Sequence, residues 1–339
     1  MRKPQIAVTM GDPAGVGPEI CLRIMRDPAV LAHAVPLIYG DERVLQRCAD
    51  ALHLPPPNLV LAHADFQSTA PLTAPHVIHI EGFPISTLHP GTISAHTGQA
   101  AFTYFNTAIT DALSRKVDAI TTAPLNKEAL HAAGHAFPGH TEILAARCNA
   151  QKACMMQYSD EVRASFVTVH IGLAQVPATI SSKRILEVIR LTDAAMKRLR
   201  RPDPLIGVLG LNPHAGENGL FGNREEEEII TPAIQAAIAE GIRAEGPIPP
   251  DTAFLPDRRR STDAFVCMYH DQGHIPLKAL AFDSAVNTTL GIPIIRTSVD
   301  HGTACDIAWQ GKANPSSLIQ ALLMASKLAI PSTVHNKSH

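Results

Sequence analysis

Short apolar runs alternate with amphipathic stretches along nearly the whole chain, and this alternation most narrows the fold. Ile6–Met10, Pro36–Tyr39, Asp118–Thr122, Ser165–His170, Leu205–Leu211, Ala264–Tyr269 and Ile292–Arg296 read as buried strands. Gly98–Ser114, Ser182–Arg200, Glu225–Glu240 and Ser316–Ala329 repeat apolar residues every three to four positions, as helices with one buried face do. Strands alternating with helices imply a mostly parallel sheet covered on both faces, because parallel strands need a crossover connection. The class is therefore α/β. A chain of 339 residues is too long for one ordinary domain and suits two lobes with a cleft between them. The proline-rich segment Leu54–Pro75 reads as an irregular surface excursion. A second proline cluster, Gly246–Asp251, ends a helical region and marks a lobe crossing.

Composition removes several functional classes. A net charge of -2 gives no electrostatic footprint for nucleic acid or an anionic membrane. No apolar run approaches the ~18 residues that span a bilayer. The first residues lead straight into an apolar strand, without the longer apolar core and cleavage site of a signal peptide. Cys21, Cys48, Cys148, Cys154, Cys267 and Cys305 form no C-x-x-C pair and suggest no disulfide framework. The expectation is a reduced, cytoplasmic, globular protein. Its 17 histidines are the exception to this ordinary composition, and neutral imidazole is a common metal ligand.

Parallel sheets place ligand sites beyond the carboxyl ends of their strands. Three histidines stand there. His170 ends Ser165–His170, His214 follows Leu205–Leu211 after an Asn-Pro turn, and His270 follows Ala264–Tyr269. If the three strands are parallel in one sheet, the imidazoles emerge along one edge, a donor set suited to zinc, nickel or cobalt with positions left open for substrate. Taken singly, each is an ordinary strand-end histidine; the threefold repetition carries the metal reading. Asp271 either orients a ligand, acts as acid or base, or caps the next turn.

Other segments suit anions. Gly11–Glu19, GDPAGVGPE, follows the first strand with glycines that permit a tight turn, but it is not the G-x-G-x-x-G dinucleotide fingerprint and also reads as a structural turn. In Pro138–Glu142, His140 and Thr141 either donate to a phosphate at a helix N-terminus or serve as a cap. Lys278, Asn287 and Arg296 add potential anion contacts. Lys127 reads as the start of an exposed helix, and Glu225–Glu228 as a solvated first helical turn.

These segments together identify a resemblance. GDPAGVGPE, TTAPLNKEAL, GHTE, NPHAGENG, MYHDQG, NTTLGIPIIRTS and DHGTACDIA resemble the 4-hydroxythreonine-4-phosphate dehydrogenase family, in the same order, from about residue 5 to about residue 328. His301–Ala308 also resembles a loop of isopropylmalate dehydrogenases that holds the adenosine end of a dinucleotide. The resemblance implies two α/β/α lobes in the isocitrate/isopropylmalate dehydrogenase-like fold. Residues 1–125 and 250–339 are expected as a discontinuous nucleotide-binding lobe, and 126–249 as a metal-binding and dimerisation lobe.

The resemblance further implies His170, His214 and His270 as ligands of a divalent metal (zinc, cobalt, nickel or magnesium). It implies His140, Thr141, Lys278, Asn287 and Arg296 as substrate contacts, mostly around a phosphate. His301, Gly302, Thr303, Ala304 and Asp306 would bind NAD or NADP, and the carboxylates of Asp251 and Asp271 would be catalytic. It implies a homodimer sharing its active site, and oxidative decarboxylation of a small phosphorylated 3-hydroxy acid. The substrate would be 4-hydroxy-L-threonine 4-phosphate or the 4-phosphate of D-threonate or D-erythronate. Tyr269–Lys278, with His274 after the glycine, and Leu125–Glu128 are similar to the threonate branch. Three other readings compete: a related dehydrogenase of a non-phosphorylated dihydrodiol carboxylate, a three-histidine metallohydrolase, and a non-catalytic binding protein whose metal joins two subunits. The retained GHTE favours a phosphorylated substrate.

Overall fold

The structure, a computed structural model, describes residues 2–67, 70–150, 152–281 and 285–330. These fall into two compact units, one from residues 2–150 and 292–330, the other from residues 152–291. The first unit contains β1 (Gln5–Thr9), β2 (Val35–Gly40), β3 (Val60–Ala62), β4 (His76–His79) and β5 (Ala119–Thr122). The second contains β6 (Cys154–Tyr158), β7 (Arg163–Phe166), β8 (Ile206–Leu209), β9 (Ala244–Ile248), β10 (Ala264–Cys267) and β11 (Val286–Leu290), and β12 (Arg296–Ser298) returns to the first.

The first unit orders its strands β3-β4-β2-β1-β5-β12, every neighbouring pair parallel. Its central strands are buried throughout, as the apolar run Ile6–Met10 requires. The helix Ala95–Leu113 begins where the Ser94 hydroxyl accepts from the Thr97 backbone N–H at 3.2 Å, satisfying one of the helix's orphan donors. It buries Ala101, Tyr104, Phe105, Ala108 and Ala112 along one face. Each fully buried large apolar side chain contributes about 2 kcal/mol. Gly98 lets this helix meet the carbonyl of Ala129, on the helix Lys127–Ala132, at a distance no Cβ would allow.

The second unit orders its strands β11-β6-β7-β10-β8-β9. β7, β10, β8 and β9 run parallel, whereas β6 is antiparallel to both β7 and β11. Phe166, Leu209, Phe265 and Leu277 belong to its core.

Several expectations need correction. Residues 126–150 pack with the first unit through the helix pair Ala95–Leu113 and Lys127–Ala132, while β10 and β11 place residues 264–290 in the second. The junctions therefore lie near 151 and 291, not 125 and 250. Leu54–Pro75 is not wholly irregular, since it supplies edge strand β3 and the short helix His63–Phe66. Gly246 and Pro247 lie within β9. The last strand of the first unit is Arg296–Ser298, displaced from Ile292–Arg296. Glu225–Glu240 is a π-helical turn, Glu226–Ile230, followed by the α-helix Thr231–Ala239. The six cysteines are free thiols. Among the described residues, no helix is long and apolar enough to cross a membrane.

Candidate functional site

In the second unit, the three histidine-bearing strands are adjacent in the order β7-β10-β8 and all parallel. Their following segments consequently leave from one edge of the sheet. The exits of β7 and β10 are laced together. The Thr168 hydroxyl donates to the Met268 carbonyl at 2.7 Å, and Val167 N–H donates to the Cys267 carbonyl at 2.9 Å. His270 then opens the helix His270–Ala281, which sequence periodicity had hidden behind Pro276. Gln272 fixes this helix start, accepting from Met268 N–H at 2.7 Å and donating to the Gly210 carbonyl at 2.8 Å. Gly273 lies where a Cβ would stand 2.7 Å from the Phe166 ring, so only glycine permits this seating of the helix.

The result is a stack of rings. His274 lies on Phe166 with centroids 4.5 Å apart, and His270 lies on His274 at 3.7 Å, tilted by only 9°. The His274 Nδ1 faces the His270 carbonyl at 2.9 Å. The His270 Nδ1 faces Asp271 Oδ1 at 2.6 Å, which orients the ring and leaves Nε2 for a ligand. His170 is the next ring, its centroid 6.2 Å from that of His270.

His214 stands on the turn Pro213–Gly216 beyond β8, beside Phe221 at 6.2 Å. Among the described residues, no three His, Cys, Asp or Glu side chains are gathered as a cation site. The chain thus brings His170 and His270 towards one another and leaves His214 outside their group. The donors themselves fit a divalent cation: three imidazoles beyond one sheet edge, one already oriented by a carboxylate. Asp251 is exposed on the short helix Pro250–Ala253, Lys278 is exposed on the helix His270–Ala281, and Asn287 is half-buried on β11.

Of the residues expected to contact an anion, His140, Thr141 and Arg296 lie in the first unit. Arg296, on β12, is 2% exposed, and its Nη2 donates to Thr122 Oγ1 at 2.7 Å. Burial pushes its guanidinium down to about 9, opposed by the carboxylate of Glu142. His140 begins the helix His140–Cys148, with Phe105 edge-on at 4.9 Å and Thr141 half-buried beside it. Burial first, then the charges of Arg296 and Lys127, hold His140 well below its ordinary value, so its imidazole is neutral at pH 7. A buried arginine, a neutral imidazole and the N-terminus of a nine-residue helix thus lie within electrostatic reach of one another, chemistry suited to an anion. Lys127 is exposed at its helix start, as the sequence suggests, yet its Cε lies 3.8 Å from where a Gly139 Cβ would stand. Its part in this field was not legible from local spacing.

The segment His301–Asp306 rests on GDPAGVGPE. Val16 N–H donates to the Thr303 carbonyl at 3.0 Å, and a Cβ on Gly15 would meet that oxygen at 2.9 Å. Glu19, fully buried, accepts from Gly311 N–H at 3.2 Å and Ala313 N–H at 3.3 Å. Asp12, 1% exposed, accepts from Ala14 N–H at 2.9 Å and Thr97 Oγ1 at 3.2 Å, and burial pushes its carboxyl up to about 6. The glycine loop is therefore a platform for the second loop. In that second loop His301 is half-buried, Gly302 and Asp306 are exposed, and Ala304 is left-handed at φ 42°. A cavity of about 780 Å³ at the same carboxyl edge, lined by Glu42, Arg43, His79, Glu81 and His96, contains none of the expected residues.

The Glu225–Glu228 run departs most from expectation. Glu225 and Glu226 are 6% and 2% exposed and accept from the backbone and amide of the His214 turn. Their partner Asn212 lies 13 and 14 residues upstream, beyond any helical spacing that would have signalled it.

Residues 32–325 match the family described as pyridoxal phosphate biosynthetic protein PdxA. The 4-hydroxythreonine-4-phosphate dehydrogenase of Desulforapulum autotrophicum is 45% identical over 332 residues, covering 96% of this chain and 95% of that protein. The D-threonate 4-phosphate dehydrogenase of Pectobacterium atrosepticum is also 45% identical, over 327 residues, covering 96% of this chain and 99% of its own. A crystal structure of 4-hydroxythreonine-4-phosphate dehydrogenase from Klebsiella pneumoniae is similar at TM-score 0.85 and 43% identity, covering 97% of this chain and 100% of that one. The α/β fold is accordingly of the isocitrate/isopropylmalate dehydrogenase-like type.

Proposed function

This chain belongs to the PdxA family, and from that premise we propose that it is an NAD(P)-dependent dehydrogenase that oxidises a small phosphorylated 3-hydroxy acid, with loss of CO2. The observation that carries the phosphate is Arg296. Its guanidinium is 2% exposed, donates to Thr122, feels the Glu142 carboxylate and lies within electrostatic reach of the neutral His140 at a helix N-terminus, a combination suited to an anion. Arg296 grips the phosphate, the helix start at His140 and Thr141 donates to it, and Lys127 adds charge. Lys278 and Asn287 contribute polar contacts to the rest of the substrate. Holding this unreactive end positions the carbon to be oxidised, so binding energy remote from the reaction lowers its barrier.

His301, Gly302, Thr303, Ala304 and Asp306 hold the dinucleotide on the platform formed by GDPAGVGPE. His170, His214 and His270 hold a divalent cation, with ligands shared between two copies of the chain. When bound, the dinucleotide accepts the hydride and the cation polarises the substrate oxygen. Asp271 keeps the His270 ring oriented, and Asp251 takes the hydroxyl proton. Exposed Ile171, Leu173, Leu220, Phe221 and Ile275, adjacent in sequence or close to the three histidines, support the homodimer as an apolar surface for a second copy.

Among the substrates, D-threonate or D-erythronate 4-phosphate is favoured. His274, the residue that marks this version of the Tyr269–Lys278 segment, is also the ring beneath His270. The test is initial-rate reduction of NAD+ and NADP+ with these two phosphates and 4-hydroxythreonine 4-phosphate at equal divalent metal. The reading expects reduction, fastest with a threonate-type acid. Absence of reduction with all three would overturn it.

A further inference from the structure

We infer that Asn212, Glu225 and Glu226 form a clamp that sets where the His214 imidazole stands, which makes Glu226 a positioning residue; this rests on the reading of His214 as a cation ligand. The turn that carries His214 is left-handed without interruption. His214, Ala215, Gly216, Glu217, Asn218 and Gly219 have φ of 52, 53, 77, 42, 57 and 86°. Four of these six are L-residues that ordinarily avoid the region, so the surroundings must over-determine the conformation.

The carboxylates do so. Glu226 Oε1 accepts from Leu211 N–H and Asn212 N–H, both at 2.8 Å, and its Oε2 accepts from Asn212 Nδ2 at 2.9 Å. Glu225 Oε2 accepts from the same Nδ2 at 2.9 Å and from Asn223 N–H at 2.7 Å. Burial pushes the Glu225 carboxyl up, but the backbone N–H groups of Asn223 and Glu225 and the amides of Asn212 and Asn223 outweigh it and hold it below its ordinary value.

Steric limits close the arrangement. A Cβ on Gly216 would stand 2.7 Å from Glu226 Oε2, and one on Gly210 would stand 2.8 Å from Ala215 Cα. The backbone on either side of His214 is thus held at 211–212 by hydrogen bonds and at 216 by contact. The His214 ring is itself exposed, and so is Phe221 beside it. Its position is therefore set through the backbone, and through Glu226 in particular. The π-helical turn Glu226–Ile230 begins at this carboxylate.

The experiment uses the full chain and Co2+ alone as probe. Glu226→Gln removes one acceptor oxygen and points an amide N–H at groups that already donate. The clamp predicts Co2+ binding weakened by roughly 10–100-fold and an altered visible cobalt spectrum in the folded variant, whose thermal midpoint falls with the lost acceptor. Asn212→Ser, at a half-buried position, should shift both readouts in the same direction and decides the question alone if Glu226→Gln does not fold. His214→Ala is the reference. Loss of cobalt in His214→Ala, with unchanged affinity and spectrum in the folded clamp variants, would overturn the clamp and leave the cation reading standing. Retention of cobalt in His214→Ala would overturn both.

Discussion

Arg296 is paired in register with Ile120, yet its guanidinium donates to Thr122, two residues further towards the carboxyl edge. A buried cation is thereby aimed along the strand direction to the edge where a parallel sheet receives its ligands. Burial pushes the guanidinium down to about 9, opposed by the Glu142 carboxylate, so at neutral pH it remains charged.

Replacing that cation with an apolar side chain of similar length should separate folding from binding. Arg296→Met takes the cation away from Thr122 and Glu142 and should stay folded with a loss of about 1–3 kcal/mol in stability. It should lose the stabilisation that inorganic phosphate gives the parent, and raise KM for phosphorylated substrate at least about tenfold. Scanning calorimetry with and without phosphate, alongside initial rates, reads both effects.

Asp12 gives a pH dependence of defined sign. Its carboxyl is raised from 3.8 to about 6 by burial, so the folded chain keeps a proton that the unfolded chain has released. Stability therefore declines as pH rises from about 4 to about 6, and the loss is complete above that window. Asp12→Asn should be more stable than the parent by about 1–3 kcal/mol at pH 7, a difference that shrinks towards pH 4.5. Urea unfolding across this range would show it; a pH-independent difference would contradict it.

Glu19 predicts a selective effect on the dinucleotide. Glu19→Gln weakens the latch on Gly311 and Ala313 and should loosen NAD+ binding roughly tenfold, the size expected for a lost charge-assisted hydrogen bond. Phosphate binding should be unchanged. Trp309, the chain's single tryptophan, lies in the same loop, so its fluorescence reports NAD+ binding directly.

Removal of the cation should abolish turnover. A chelator should silence the enzyme, added divalent metal should restore it, and His214→Ala should remain folded, metal-free and inactive. Full, chelator-resistant activity of His214→Ala would show that the metal role is wrong.

Much of the arrangement was legible because apolar runs report burial directly. Ala264–Tyr269 contains an observed strand, Ile6–Met10 and Ser165–His170 overlap the strands Gln5–Thr9 and Arg163–Phe166, and the strands before His170, His214 and His270 are parallel neighbours. What was hidden depends on partners distant in sequence. Val286–Leu290 holds three consecutive polar residues and is a strand because β6 pairs with it, whereas Ile292–Ile295 is apolar without being a strand. Glu225 and Glu226 look solvated until Asn212 is seen to meet them. His270–Ala281 hides a helix because Pro276 and Gly273 break its periodicity, although Gly273 is what allows the helix to seat on Phe166.

The most direct measurement compares kcat/KM for D-threonate 4-phosphate and D-threonate, in the parent and in Arg296→Met, by NAD+ reduction. A phosphate held by Arg296 predicts a large preference for the phosphorylated acid in the parent that collapses by about tenfold or more in the variant. Equal preference in the two proteins, or none in the parent, would contradict it.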